Sequence, residues 1–246
     1  MIYHILNGDA LIPRFTDTDL DGQVIVAREC LIEGDLQGET LYEFFSNRSR
    51  YIADTYHDKE GSYFMEVANE FLRLLSAPDS SEFNLWFGYD LFCRTNMWFI
   101  LSILWDLEIE KKVFVVHPSY LAKEDRWKDF GQATRDDLLY CYQNRVAMTQ
   151  QDLELGAELW LAYKNDDFQR LQQLSIVASP AFPFLAEVVQ AHLDRRQERP
   201  EKLLRQIIDN GEKDFYSVYK EFFDREGVYG FGDDQVKRMY DKILNQ

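Results

Sequence analysis

Four short stretches of the chain carry the residues best suited to chemistry. Asn7-Gly8-Asp9, Arg28-Glu29, Gly88-Tyr89-Asp90 and His117-Pro118 each close a run of apolar residues. Together they offer an amide, three carboxylates, a guanidinium and an imidazole, a set that suits a small polar or phosphorylated metabolite, or a cation. Asn7-Gly8-Asp9 reads as a backbone-plus-carboxylate site for phosphate, sugar or cation. It reads equally as a turn in which Asp9 caps the next helix. Arg28, beside Glu29, can grip a carboxylate or phosphate through two parallel hydrogen bonds, or pair internally with Asp9 or Asp90, and Glu33-Gly34 extends the same loop. Asp90 is a ligand-facing acid or a helix N-cap. His117 is a general base, a metal ligand or a hydrogen-bonded loop histidine. Asp90, Cys93 and His117 sketch a nucleophile site, but no elbow motif surrounds Cys93. Dinucleotide and P-loop fingerprints are absent, as are His-x-x-x-His and His-Glu-x-x-His, so the sequence specifies no cofactor and no metal set.

These groups need a scaffold, and the residues between them predict one. Apolar runs at Ile2 to Leu6, Gln23 to Ala27, Asn84 to Phe87 and Lys112 to Val116, bounded by turn residues, predict buried strands. Three- and four-residue apolar spacing predicts helices at 39–56, 61–75 and 90–107. Strands alternating with helices predict right-handed crossovers and a mainly parallel sheet, in which strand carboxyl ends gather on one edge, where ligands bind. From Thr134 onward no strand is expected. Helices follow, with Thr134 as an N-cap, and the charged stretch Asp194 to Pro200 reads as a linker. The segment beyond it holds three helices, the last two joined by the glycine-rich turn Val228-Tyr-Gly-Phe-Gly-Asp-Asp234. That turn reads as a tight connection rather than a phosphate loop.

Charge narrows the classes of partner. The 246 residues carry 27 basic and 43 acidic side chains, a formal net charge of −16, and 46% of residues are apolar. Such a chain is expected to fold and to be soluble. Its field disfavours nucleic acid and anionic membranes. Residues 1–122 hold 9 basic and 20 acidic side chains, so most of the excess lies there. The apolar window Met97 to Trp105 is too short to span a membrane. No signal peptide pattern opens the sequence. Cys30, Cys93 and Cys141 have neither disulfide nor zinc spacing, and free thiols in a reducing cytoplasm are the expectation.

The order of several motifs resembles a known family. His4-Ile-Leu-Asn-Gly-Asp-Ala-Leu11, Arg28-Glu-Cys-Leu-Ile-Glu-Gly34, Leu85-Trp-Phe-Gly-Tyr-Asp-Leu-Phe92, Phe130-Gly-Gln-Ala133 and Phe182-Pro-Phe-Leu185 with His192 resemble the bacterial family known as domain of unknown function 1835. Gly88-Tyr89 and Arg94 depart from the residues usual there. The resemblance covers nearly the whole chain. It implies a strand-end cleft followed by a helical part and a winged-helix-like tail, and it implies no reaction.

The expected architecture is therefore a Rossmann-like α/β domain over residues 1–122, with about four or five strands. A helical region follows over 123–199, and a winged-helix-like tail over 200–246. The expected function is a non-catalytic regulator that senses a small polar ligand or a protein partner at Asn7, Gly8, Asp9, Arg28, Glu29, Asp90 and His117. An enzyme acting on a small polar or phosphorylated metabolite in the same cleft is the alternative. DNA binding by the tail is a weaker one, because Asp233, Asp234 and Asp241 offset Lys237, Arg238 and Lys242.

Overall fold

A computed structural model describes residues 1–57, 62–211 and 214–245. Four apolar runs form parallel strands: β1 (Ile2–Leu6), β2 (Gln23–Val26), β3 (Ser81–Trp86) and β4 (Lys111–Val116). A fifth, β5 (Val146–Ala147), adds antiparallel to β4, and the spatial order is β2-β1-β3-β4-β5. The mostly parallel α/β sheet is thus as the sequence predicts, with one correction, since a strand does occur after Thr134. Two residues show no alternation that could announce them. The site is marked instead by Arg145, whose guanidinium lies 4.0 Å over the Tyr142 ring and 4.5 Å over Phe114 of β4.

The register matters more than the strand count. Leu6 pairs with Val26 and Trp86, and Trp86 pairs with Val116. The four strands therefore end level, and Asn7, Ala27, Phe87 and His117 begin the loops of one sheet edge. From β1 the chain moves outward to β2 and then returns past β1 to β3. The β1/β3 boundary is thus the point where the winding reverses, the usual crevice in open parallel sheets.

Helices cover both faces. On one face α1 (Ile12–Thr16) and α5 (Arg135–Gln143) pack Phe15 and Leu138 against Leu6, Trp86 and Val116. The other face holds α2 (Leu41–Tyr56), a π turn at Phe64–Ala68 leading into α3 (Asn69–Leu75), and α4 (Leu91–Asp106). Thr40 and Glu43 form a reciprocal cap at the start of α2. The predicted start of the next helix at Gly61 lies outside the described residues. α4 is apolar around nearly its whole circumference because α6 (Gln150–Lys164) covers its far side. A side chain at Gly156 of α6 would collide with Leu101 of α4, so glycine sets how closely the two helices approach.

The remaining helices are α7 (Phe168–Ser175), α8 (Leu185–Arg196), α9 (Arg199–Asp209), α10 (Phe215–Glu226) and α11 (Asp233–Leu244). The expected linker at Asp194 to Pro200 is mostly helix. Only Gln197 and Glu198 separate α8 from α9, and Glu198 turns the chain at φ 60°. Its charges mark a solvated helix surface and not a flexible joint. α9, α10 and α11 form a three-helix tail, and among its described residues there is no strand. The tail is locked to the sheet domain through Glu33, which accepts from Gln235 at 2.8 Å and from Arg238 at 2.6 Å. Among the described residues no helix is long and apolar enough to cross a membrane.

Candidate functional site

At the winding reversal, the first turns of α4 meet the ends of β1 and β2. Asn7 donates through Nδ2 to the Cys93 sulfur at 3.1 Å, and its Oδ1 accepts from Asn96 at 2.9 Å. Asn96 also donates to the Glu29 carbonyl at 2.7 Å and accepts the Leu31 N–H at 3.2 Å. One buried amide on α4 thus fixes two strand ends. Gly8 turns the chain away at φ 87°. Asp90 caps α4, accepting the Cys93 N–H at 2.9 Å. Burial pushes its carboxyl up to about 6 against the restraint of that N–H, and the nearby Asp129 charge adds to the rise.

Above this floor lies a cleft of about 650 Å³, lined by Asn7, Asp90 and Cys93 from the sheet domain. Trp127 and Asp129 of the loop after β4 also line it. Tyr219 and Phe223 of α10, the turn Gly230-Phe231-Gly232 and Gln235 of α11 complete it from the tail. Gly230 has φ 66°, and a Cβ there would collide with the Asp90 carboxyl. The glycine is required on both counts. The turn that the sequence reads as a tight connection does connect α10 to α11, and it also seats the tail on the capping carboxylate.

The other candidates lie around this centre with their groups already engaged. Arg28 and Asp9 pair with each other at 2.8 Å at the exposed rim, and Arg28 also donates to the Glu66 carbonyl at 2.8 Å. The hydrogen bond to Asp9 raises the guanidinium pKa further. Glu29 is buried, accepts from Arg48 at 2.8 Å and from the Cys30 N–H at 2.8 Å, and takes the Tyr63 hydroxyl as well. Arg48 is fully buried and also donates to the carbonyls of Glu33 and Cys30. This carboxylate joins the loop after β2 to α2, with no capacity left for a ligand. His117 donates to the Pro180 carbonyl at 3.3 Å and packs on the Tyr89 ring at 5.2 Å. Burial pushes its imidazole down to about 3, and Arg94 adds to this, so it is neutral at physiological pH. Arg94 is buried beside Tyr89 and reaches only the Met97 sulfur, at 3.3 Å, while burial pulls it down to about 10. Asn7 and Asp90 therefore meet at the cleft, and Asp9, Arg28, Glu29 and His117 do not line it.

The nucleophile sketch does not assemble. Burial, with Asp90 and Asp129 nearby, pushes the Cys93 thiol well above its ordinary range, and His117 is not among its hydrogen-bond partners. A thiol so placed stays protonated and unreactive. Among the described residues no group of three or more His, Cys, Asp or Glu side chains is arranged to hold a metal ion. Reading the sequence missed Trp127, Asp129, Tyr219, Phe223 and Phe231. Their one legible signal was the glycine-rich turn, whose meeting with Asp90 some 140 residues earlier has no local signature. No protein family, no curated protein and no solved structure matches the chain.

Proposed function

We propose that the protein is a cytoplasmic, non-catalytic sensor that binds a small molecule in the cleft at the β1/β3 boundary and reports occupancy through its tail. The observation that carries this reading is that one cavity is built by both parts. Its floor is Asn7, Asp90 and Cys93, and its roof is Tyr219, Phe223 and the Gly230 turn. A ligand in contact with both surfaces changes how firmly they are held together, which is the differential interaction a sensor needs. A volume of about 650 Å³ is in the range of small-molecule sites. Two of the three cations on the last helix are engaged within the protein, Lys237 with Asp241 and Arg238 with Glu33, which speaks against nucleic acid. Kinship with the domain of unknown function 1835 family belongs to the proposal and rests on the order of its motifs alone. An enzymatic reading finds one support, a carboxyl held near neutrality at Asp90. It lacks a second group of complementary role beside it.

Hydrogen exchange tests the reading. A small molecule that raises the melting temperature should slow amide exchange in α10 and α11 as well as at the start of α4. Slowing confined to one of these, or a melting shift indifferent to Phe231→Ala, would remove the sensor reading.

A further inference from the structure

The charges around the cleft select a class of ligand. Among the described residues, the two cations that line it, Lys128 and Lys220, have ionic partners, as does Arg28 at the rim, whereas Arg94, which forms no ion pair, does not line it. Lys128 pairs with Asp125 at 2.6 Å, Lys220 with Asp224 at 2.8 Å, and Arg28 with Asp9 at 2.8 Å. The N-terminus of α4, otherwise a natural anion site, is occupied by the Asp90 side chain. Among the described residues, two carboxylates that line the cleft, Asp90 and Asp129, form no ion pair. The Asp129 carboxylate accepts the Gly131 N–H at 2.7 Å, and its charge acts repulsively on Asp90. Rings form much of the remaining wall, Trp127, Tyr219, Phe223 and Phe231 among them, beside the uncharged Leu121, Gln132 and Gln235. Tyr219 and Phe223 lie 6.4 Å apart between centroids.

We propose that the cleft binds an organic cation, an ammonium or amidinium group carried on an apolar or aromatic body and bearing no phosphate. This rests on the ligand-sensing reading above and adds the chemistry of the ligand. A positive group between Asp90 and Asp129 removes their repulsion, while the ring walls take the apolar body and attract the cation through their π faces. A phosphate in the same space would face two carboxylates, and the cations of the lining, Lys128 and Lys220, are already paired. The fit follows from a combination on one surface: carboxylates outside any ion pair, aromatic walls and a volume in the range of small-molecule sites.

Three probes test this in the full-length protein by isothermal titration at pH 7.5: tryptamine, indole-3-acetate, which matches it in size but carries the opposite charge, and the larger adenosine 5′-monophosphate. Tryptamine should bind and the two anions should not. Asp129→Asn, which keeps the hydrogen bond to Gly131 but not the charge, should weaken tryptamine by about 10-fold. Phe231→Ala should weaken it as well. If either anion binds at least as tightly as tryptamine and Phe231→Ala abolishes that binding, the cation class is overturned and the cleft stands. If no probe binds, or tryptamine binds equally to wild type and to both variants, the proposal fails. If tryptamine binds as expected yet leaves exchange in α10 and α11 unchanged, the ligand class holds and the sensor reading falls.

Discussion

The Asp90 carboxyl closes the first turn of α4 and faces the cleft with the same group. Its ordinary value is 3.8, and burial raises it to about 6. The native state therefore holds a proton between these values while the unfolded state does not. The stability from this group is complete at acidic pH and is lost as pH rises through about 6. Cys93, Asp129 and Arg94 are the titratable groups that face it. Asp90→Asn keeps a capping acceptor and cannot ionise. Between pH 4 and 7.5 the variant should gain about 2–3 kcal/mol on the wild type in urea unfolding, and a constant difference would show that Asp90 titrates normally. His117 and His192 act in the opposite sense. Burial lowers them to about 3 and about 4, so their contribution is present above 6.5 and is lost on acidification. His192→Phe should accordingly flatten the fall in stability between pH 6.5 and 4 in the same assay. At this scale the sequence showed which residues end strands and not where their side chains turn. Arg28 and Glu29 are neighbours, yet one lies in an exposed pair and the other in a buried one. Arg28→Ala should cost at most about 1 kcal/mol.

Glu29 and Arg48 tie the loop after β2 to α2 across a fully buried pair, so breaking it is an event for both elements. Glu29→Gln should cost about 3–5 kcal/mol by leaving a buried guanidinium without its countercharge, and adding Arg48→Met should recover part of that loss. Urea midpoints of the two single variants and the double variant decide the matter. A second element, the turn between α10 and α11, can be probed by comparing two glycines. Gly211→Ala at φ 103° meets nothing within 4 Å, whereas Gly230→Ala at φ 66° meets Asp90. Both should pay about 1 kcal/mol of backbone strain. Only the second should also weaken any cleft ligand, measured by titration. The main elements were legible because their patterns are strong: β4 is a β-branched run, and α4 is an apolar stretch of 16 residues. β5 is too short to carry a pattern, and the joint between α8 and α9 was obscured by the charges of their exposed faces.

At the scale of the whole molecule, the −16 net charge repels itself. Raising salt from about 10 mM to about 150 mM should raise the melting temperature, because screening shortens that repulsion to within about 8 Å. A melting temperature that falls with salt would mean that the ion pairs outweigh the excess. Half of the cleft could be foreseen, since strand ends of a parallel sheet must share an edge and Asn7 and Asp90 lie on it. The other half could not, because Tyr219, Phe223 and Phe231 reach it only through the packing of α10 and α11. The same separation sets an order in time. Glu33 and its partners Gln235 and Arg238 are 202 and 205 residues apart. On a ribosome adding about 5–20 residues per second, the last of the cleft's floor, Cys93, precedes its roof by roughly 6 to 28 seconds. Nascent chains thus expose Asp90 and Cys93 without the rings that enclose them. A ligand that needs both surfaces cannot assist the early steps of folding, and acts only on chains whose tail has already been made.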